Sequence, residues 1–192
     1  SLGLKNQIIN TIAVSGSNLF VGTNINVIYK STNNGINWIT AYNGNPGFSI
    51  RTLLISGSNI YAGTGGDGVL LSTNLGASWI SISEGLINPE ISSLIIKDSY
   101  LFAGTLNGVY ATSNNGTNWT MSNSGISILP SYSLTKAGNN LLSGAQFGIL
   151  LSTDNGINWG FTYPPFIRVT SFAVSGTNIF AGASDGVLIS TD

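Results

Sequence analysis

The sequence predicts an all-β fold, a β-propeller of five four-stranded blades, because short apolar strands and a characteristic turn recur about every 40 residues. The turn has the form Ser/Thr-x-Asn/Asp-x-Gly-x-x-Trp, and its complete copies carry Gly35, Gly76, Gly116 and Gly156. A fifth copy begins at Ser190. A parallel β-helix is the alternative fold, but its coils are usually much shorter than this repeat.

Each repeat divides into four short strands separated by turn residues. Segment 8–14 represents the first strand, the aromatic-rich segment 59–64 the second and 69–71 the third, while the fourth begins at a motif tryptophan such as Trp79. The second and third strands are apolar at consecutive positions, which indicates that both faces of each sheet are covered. The glycine within each second strand is expected where neighbouring blades leave no room for a side chain. These glycines are Gly22, Gly63, Gly104, Gly144 and Gly182.

The repeat boundaries predict a single propeller domain over residues 1–192. The last repeat stops after its third strand, inside the turn that leads to an outer strand. Two explanations are open: the chain is a fragment of a longer protein, which we favour, or a neighbouring chain supplies the strand and the protein self-assembles through this open edge. The expected blades cover about residues 1–42, 43–82, 83–122, 123–162 and 163–192.

The recurring turn resembles the Asp-box, the repeat named after bacterial neuraminidases and found in many propellers. The resemblance covers nearly the whole chain and implies a structural role. The Asn or Asp side chain is expected to accept from backbone amides two residues on, the glycine to supply a positive φ, and the tryptophan to bury its ring in the core. The expected structural residues are Ser31, Asn33, Gly35, Trp38, Ser72, Asn74, Gly76, Trp79, Thr112, Asn114, Gly116, Trp119, Ser152, Asp154, Gly156, Trp159, Ser190 and Asp192.

The turns depart from the Asp-box family at the position that gives it its name. Only Asp154 and Asp192 keep the carboxylate, and the other copies have Asn. An amide can build the turn but cannot offer a charged ligand to a cation, so calcium binding is not expected. The sequence predicts neither a metal site nor a cofactor.

Composition excludes several classes of function. Charged residues make up 7% of the chain and the net charge is −1, so no basic surface and no nucleic-acid partner are expected. The chain has no His and no Cys, which removes thiol nucleophiles, disulfides, histidine bases and nearly every zinc or haem site. The longest apolar run has four residues, 100–103, whereas a membrane-spanning helix needs about 20, so membrane insertion is not predicted.

The resemblance to neuraminidase repeats suggests sialidase activity as a hypothesis. That family, however, places three arginines around the substrate carboxylate. This chain has two arginines, Arg51 and Arg168, so sialidase is rejected. Another glycosidase would need two carboxylates roughly 5 to 10 Å apart. Asp67 and Asp185 lie in equivalent turns and are the pair that could converge, although Asp before Gly is also a good turn former. The chain is therefore predicted not to be an enzyme, with glycoside hydrolase as the third alternative.

The connections between blades vary most, and in a propeller they share one face with the turns between second and third strands. A variable surface over a constant scaffold is the usual layout of a binding face. Its aromatic and polar side chains suit sugars, although they also serve simply to pack and rigidify loops. Arg51 lies within a predicted strand, so its charge needs a partner or access to the central channel. The candidate ligand-binding residues are Tyr42, Phe48, Arg51, Asp67, Asn107, Phe147, Tyr163, Phe166, Arg168 and Asp185.

The predicted function is a non-catalytic scaffold or protein-interaction module of a secreted or cell-surface bacterial protein, extracellular or periplasmic. A chain rich in Asn, Ser, Thr and Gly and free of cysteine is typical of such products. The repeat is also similar to those of large cell-surface proteins and of photosystem II assembly-factor-like propellers. The expected partner is a protein or a glycan, and a lectin-like carbohydrate-binding propeller is the leading alternative.

Overall fold

The structure, a computed structural model, describes residues 3–162 and 166–191, and the regular elements of these residues are all β-strands. They form five antiparallel sheets in which consecutive strands are neighbours. The sheets contain β1 (Ile9–Ser15), β2 (Asn18–Thr23), β3 (Val27–Ser31) and β4 (Ile39–Asn43); β5 (Ile50–Ser56), β6 (Asn59–Thr64), β7 (Val69–Ser72) and β8 (Ile80–Ser81); β9 (Ile91–Lys97), β10 (Tyr100–Thr105), β11 (Gly108–Thr112) and β12 (Thr120–Met121); β13 (Ser131–Ala137), β14 (Asn140–Ala145), β15 (Gly148–Ser152) and β16 (Gly160–Phe161); and β17 (Val169–Ser175), β18 (Asn178–Ala183) and β19 (Gly186–Ser190).

The fold is a β-propeller of five blades, as the repeat predicted. The first strand of each blade packs against the first strand of the next, so that β1 contacts β5, β5 contacts β9, β9 contacts β13 and β13 contacts β17. The sheets therefore stack face to face, and the fifth has three strands within the described residues. Every residue of β7, and every residue of β6 after Asn59, is buried, which confirms that both faces of these strands are covered.

Glycine makes close stacking possible in four of the five second strands. A Cβ on Gly63 would lie 2.6 Å from Ile91 Cγ2 of the next blade, and a Cβ on Gly144 would lie 2.8 Å from Val169 Cγ1. The corresponding glycines of the first and third blades are covered in the same way. Gly182 of the fifth blade differs, because a Cβ there would meet only a side chain of its own blade.

Two of the four motif tryptophans lie in the core, and two lie at its margin. Trp119 and Trp159 are 2% and 4% exposed, whereas Trp38 and Trp79 are half-buried. Trp119 Nε1 donates to a backbone carbonyl of the preceding blade, Ile82 O, at 2.6 Å. Trp38 belongs to the first blade, which has no preceding blade within the described chain to cover it. The expectation that all four rings lie in the core is therefore wrong for Trp38, whereas Trp79 is half-buried and packs against the core cluster of the first two blades.

Each described Asp-box-like turn is closed by two side-chain acceptors. In the fourth copy Ser152 Oγ accepts from Gly156 N at 2.8 Å, and Asp154 Oδ1 accepts from Asn158 N at 2.9 Å. The first three copies repeat both bonds at 2.9 to 3.1 Å. The Asn or Asp thus accepts from the amide four residues on, not two as expected, because two consecutive residues, Asn155 (φ 59°) and Gly156 (φ 80°), are left-handed and curl the chain back. Asp192 of the fifth copy lies outside the described residues.

Candidate functional site

The turns between second and third strands hydrogen-bond to the connections between blades, so the two share one surface, here called the turn face. Gly65 N donates to Ser49 O at 2.8 Å, and Ser184 N donates to Arg168 O at 2.9 Å. The turn face therefore gathers the loops that vary most between repeats. It comprises turns 24–26, 65–68, 106–107, 146–147 and 184–185 together with connections 44–49, 82–90, 122–130 and 166–168.

A polar cluster joins the first two blades on this face. The side chain of Asn26 is fully buried, and its Nδ2 donates to Asp67 Oδ2 at 2.7 Å and to Asn45 O at 3.1 Å. Asn26 Oδ1 is also buried, and within the described residues nothing donates to it. Asn26 is not among the predicted site residues, although it occupies in the first repeat the position that Asp67 occupies in the second. The cluster therefore contains a buried acceptor without a donor, next to a carboxylate.

Two aromatic side chains border the polar cluster. Burial, and then the negative charge of Asp67, raises the pKa of the Tyr42 phenol above its ordinary value of 10.0. The ring of Phe48 packs directly against Gly66, the residue before Asp67, so that any Cβ on Gly66 would overlap it. Three predicted site residues, Tyr42, Phe48 and Asp67, are thus brought together.

Arg51 is exposed and forms an ion pair with Glu90 of the next inter-blade connection, with Nη2 and Oε2 3.1 Å apart. The strand register shifts between Ile50 and Thr52, so Arg51 sits in a β-bulge that turns its side chain out of the ladder. Glu90 is therefore the partner that the charge of Arg51 was expected to require. Both side chains are more than one-third exposed, and such pairs contribute about 0 to 1 kcal/mol to stability.

A second group, here called the aromatic patch, lies between the fourth and fifth blades and consists of Tyr132, Gln146, Phe147, Phe166 and Arg168. The guanidinium carbon of Arg168 lies 4.2 Å from the centroid of the Tyr132 ring, a cation–π contact. The Tyr132 hydroxyl donates to Gln146 Oε1. Phe166 N donates to Phe147 O at 3.3 Å, and the two side chains are 84% and 41% exposed.

Tyr132 and Gln146 are functional candidates that sequence reasoning missed. Tyr132 lies in the bulge of β13, the position equivalent to Arg51. The sequence did contain a signal for Tyr132, because the residue type at this position differs in every repeat. The five residues are Asn10, Arg51, Ser92, Tyr132 and Thr170.

The remaining predicted residues are held by local contacts. Asn107 N donates to Thr105 Oγ1 at 3.0 Å, and its carbonyl accepts from Asn123 Nδ2 at 3.1 Å. Asp185 is exposed and accepts from the hydroxyl of Ser184 at 3.2 Å. Both residues stand in turns of the turn face, away from the hydrogen bonds of the polar cluster. Tyr163 lies outside the described residues.

An apolar groove of the described residues does not coincide with the predicted site. It has a volume of about 350 Å³ between the fourth and fifth blades, and none of the predicted ligand-binding residues lines it. Its apolar lining includes Leu142, Ile149, Leu151, Ile179, Ala181 and Leu188. Over residues 3–162 and 166–191, no three His, Cys, Asp or Glu side chains come together to hold a metal ion. The same residues contain no helix of the length and apolarity needed to cross a membrane.

No known protein family matches the sequence, and no curated protein does either. Solved structures are similar in shape. The extracellular domain of a hybrid two-component system from B. thetaiotaomicron matches with a TM-score of 0.80 at 16% identity, covering 98% of this chain and 30% of that one. YCF48 bound to a D1 peptide matches with a TM-score of 0.70 at 14% identity, covering 100% and 66%. An ancestral GH74 enzyme matches with a TM-score of 0.75 at 20% identity, covering 92% and 27%.

These similarities establish the fold alone, because the identities are low and the three proteins differ in kind. The chain spans less than two-thirds of the length of each of the three, and 60% of a computationally designed protein that it also resembles. All of them support a β-propeller.

Proposed function

We propose that this chain is a non-catalytic scaffold that binds a protein or peptide on its turn face, at the aromatic patch. The observation that carries the proposal is the stack of Arg168 on Tyr132 beside two exposed rings, Phe147 and Phe166. Aromatic residues and arginine are enriched where protein interfaces obtain most of their binding energy. The guanidinium favours a partner that presents a carboxylate next to an apolar side chain.

The backbone at Phe166 supports a binding role. Its φ of 99° lies in the left-handed region, where the backbone conformation of a residue other than glycine costs about 1 to 3 kcal/mol of free energy. This conformation accompanies a ring that is 84% exposed. Strained backbone and exposed aromatic rings both concentrate at binding sites.

The contacts of the carboxylates favour a non-catalytic role. Glu90 pairs with Arg51, Asp67 accepts from Asn26, and Asp98 pairs with Lys97 at 3.1 Å. Asp154 is part of a turn. A glycosidase needs one carboxyl group as a proton donor and a second close by as a nucleophile or base. These side chains instead support the fold.

Proteins of similar fold provide precedents for the partner and the location. YCF48 has been solved bound to a D1 peptide, and a B. thetaiotaomicron neighbour is an extracellular domain. We place this chain in a secreted or cell-surface bacterial protein, extracellular or periplasmic. The composition supports this, since the chain lacks cysteine and is rich in small polar residues.

The test is a peptide-display selection on the purified protein, followed by affinity measurements on the selected peptides. Phe166→Ala and Arg168→Ala should each weaken binding about tenfold or more, because each removes a central contact. Ile157→Ala and Lys136→Ala are matched controls, since both residues are exposed and lie outside the turn face. Equal affinity for all four variants would rule out the aromatic patch as the binding site.

Carbohydrate binding is the second candidate, and the polar cluster is the observation that favours it. Asp67 and the Tyr42 phenol stand beside the Phe48 ring, a combination that can hydrogen-bond sugar hydroxyls and stack on a sugar face. A glycan array tests this. Specific, competable binding that is lost in Phe48→Ala and reduced in Tyr42→Phe would favour a lectin over a peptide-binding module.

Glycoside hydrolysis is the third candidate, and it would rest on Asp67 and Asp185. Release of reducing sugar from any polysaccharide, abolished by Asp67→Asn or Asp185→Asn, would overturn the non-catalytic proposal.

A further inference from the structure

A groove of about 390 Å³, here called the outer groove, lies between the third and fourth blades. Its volume is within the range of ligand sites, about 300 to 1,000 Å³. Strand β12 of the third blade borders it on one side, and the Asp-box-like turn of the fourth blade borders it on the other. None of the residues of the polar cluster or the aromatic patch lines it. Its lining includes Tyr100, Ala111, Met121, Asp154, Asn155 and Ile157.

The equivalent space between the first and second blades is occupied by a lysine side chain. Lys30 Nζ donates to Leu75 O at 2.9 Å and lies 5.6 Å from the centroid of the Phe20 ring. Leu75 is the left-handed residue of the Asp-box-like turn in the second blade, with a φ of 54°. This junction therefore holds an ammonium group between an aromatic ring and a turn carbonyl.

Strand register identifies Ala111 as the counterpart of Lys30. Lys30 pairs with Phe20 in the first blade, and Ala111 pairs with Phe102 in the third. A Cβ on the turn glycine of the following blade would lie 2.9 Å from Phe20 and 2.6 Å from Phe102, so ring and turn meet in the same way at both junctions. The junctions differ in the side chain that reaches across. Because alanine ends at Cβ, the outer groove stays open.

The outer groove contains a carboxylate where the turn of the second blade has an amide. Asp154 is the counterpart of Asn74. The backbone amide of Asn158, the Asn158 side chain and the Ser152 hydroxyl hydrogen-bond to this carboxylate and hold the pKa of Asp154 below its ordinary value of 3.8. The group is therefore ionised at neutral pH, and it forms no ion pair with the described residues.

The lysine closest to this turn does not neutralise the carboxylate. Lys97 Nζ donates to Asn155 Oδ1 and pairs with Asp98 Oδ2 at 3.1 Å. Since Asp98 balances this ammonium, the negative charge of Asp154 remains. Among the described residues nothing donates to Asn155 O, the counterpart of the carbonyl that Lys30 uses in the first junction. The outer groove thus combines an unpaired negative charge with a carbonyl acceptor.

We propose that the outer groove binds a lysine side chain of a partner protein. The ammonium would pair with Asp154 and donate to Asn155 O, while its methylene groups would pack on Tyr100 and Met121, which are 38% and 41% exposed. Lysine is the occupant because Lys30 fills the equivalent space within the chain. The site is separate from the aromatic patch and does not depend on what binds there.

Isothermal titration calorimetry of the 192-residue chain with N-acetyl-tetralysine amide at low ionic strength tests the proposal. This peptide should bind, and the same peptide acetylated on every side chain should not, because acetylation removes the positive charge. Asp154→Asn should weaken binding about tenfold, since it removes the counter-charge but keeps the side chain that the first three turns use. Glu84→Gln is the matched control, because it removes one exposed carboxylate outside the groove and should leave the affinity unchanged.

Ala111→Lys tests the same site without relying on Asp154. The new side chain should occupy the outer groove as Lys30 occupies the first junction, and it should abolish binding of the tetralysine peptide. It should also lower the pKa of Asp154 further, which a carboxyl-carbon NMR titration measures without any peptide. Ala111→Leu is the replacement if thermal unfolding shows that Ala111→Lys is not folded, because Leu71 and Leu151 occupy this position in the second and fourth blades. It should also block the peptide.

Four results would overturn the proposal. They are an absence of tetralysine binding, equal binding of the fully acetylated peptide, equal losses of affinity in Asp154→Asn and Glu84→Gln, and unchanged binding in a folded variant at Ala111. Equal losses in the two charge variants would indicate a general attraction of the peptide to acidic side chains. Unchanged binding in the variant at Ala111 would place the peptide at another surface.

Discussion

Asn26 Nδ2 and Asp67 Oδ2 are 2.7 Å apart, although the residues are separated by 41 positions in the chain. The two residues occupy equivalent places in consecutive repeats, so their hydrogen bond ties the turns of the first two blades together. Tyr42 lies close enough for the charge of Asp67 to raise its pKa. The polar cluster is therefore one electrostatic unit made from two blades.

Asp67→Asn should lower the pKa of Tyr42 toward its ordinary value of 10.0 without reaching it, because burial is the larger cause of the increase. Absorbance titration of the phenolate, with Tyr42→Phe subtracted, measures the change. Because folding raises this pKa, the protonated Tyr42 phenol contributes to the stability of the folded protein. This contribution is complete below pH 10.0 and is lost as the pH rises through the pKa of the folded state. That loss should be smaller in Asp67→Asn. An unchanged Tyr42 titration would show that the carboxylate does not act on the phenol.

Leu75→Asn should stabilise the protein by about 1 kcal/mol, since leucine is strained in the left-handed region and asparagine is tolerated there. Leu75 has a φ of 54°, and the same turn position in the other described copies is Asn34, Asn115 or Asn155. Urea unfolding measures the gain. The reverse exchange, Asn115→Leu, is the matched control and should cost a similar amount. A less stable Leu75→Asn would mean that the Leu75 side chain contributes more by packing than its backbone costs.

Gly63→Ala should destabilise the protein by about 1 to 3 kcal/mol, because the new methyl group enters a filled junction. Its Cβ would lie 2.6 Å from both Ile91 Cγ2 and Thr52 Cγ2. Gly182→Ala is the matched control at the uncovered position, where the Ser171 hydroxyl can rotate away, and it should change stability by less than about 0.5 kcal/mol. Thermal and urea unfolding of both variants provide the comparison. Equal losses would contradict the assignment of Gly63 to a covered junction.

Asp154→Asn should make the free energy of unfolding less dependent on pH under acidic conditions. The amide of Asn158, the Asn158 side chain and Ser152 hydrogen-bond to the carboxylate and hold the pKa of Asp154 below its ordinary value of 3.8. A lowered folded pKa stabilises the protein above the ordinary value, and this contribution disappears as the pH falls through the folded pKa. The variant keeps the turn, as asparagine does in the first three copies, but loses this dependence. Urea midpoints between neutral pH and pH 3 test it, and identical acid profiles would contradict it.

Much of the fold could be predicted from the sequence because the residues that form the turns and strands of each repeat lie within that repeat. The hydroxyl at Ser152 and the left-handed Gly156 close a turn through hydrogen bonds that span four residues. The consecutive apolar residues in β6 and β7 predict sheets that are buried on both sides. These features are local or strictly periodic, so they are visible without knowledge of which side chains meet across blades.

The contacts of the candidate site were decided by the tertiary structure. Glu90 lies 39 positions after Arg51, and Arg168 lies 36 positions after Tyr132, so each pair meets only when neighbouring blades stack. These positions differ from repeat to repeat, and the period therefore carries no information about their partners. The sequence by itself determined the blades, the turns and the face on which variable residues collect. The stacking of one blade on the next selected which of those residues became neighbours, since bulges and blade-to-blade distances place their side chains.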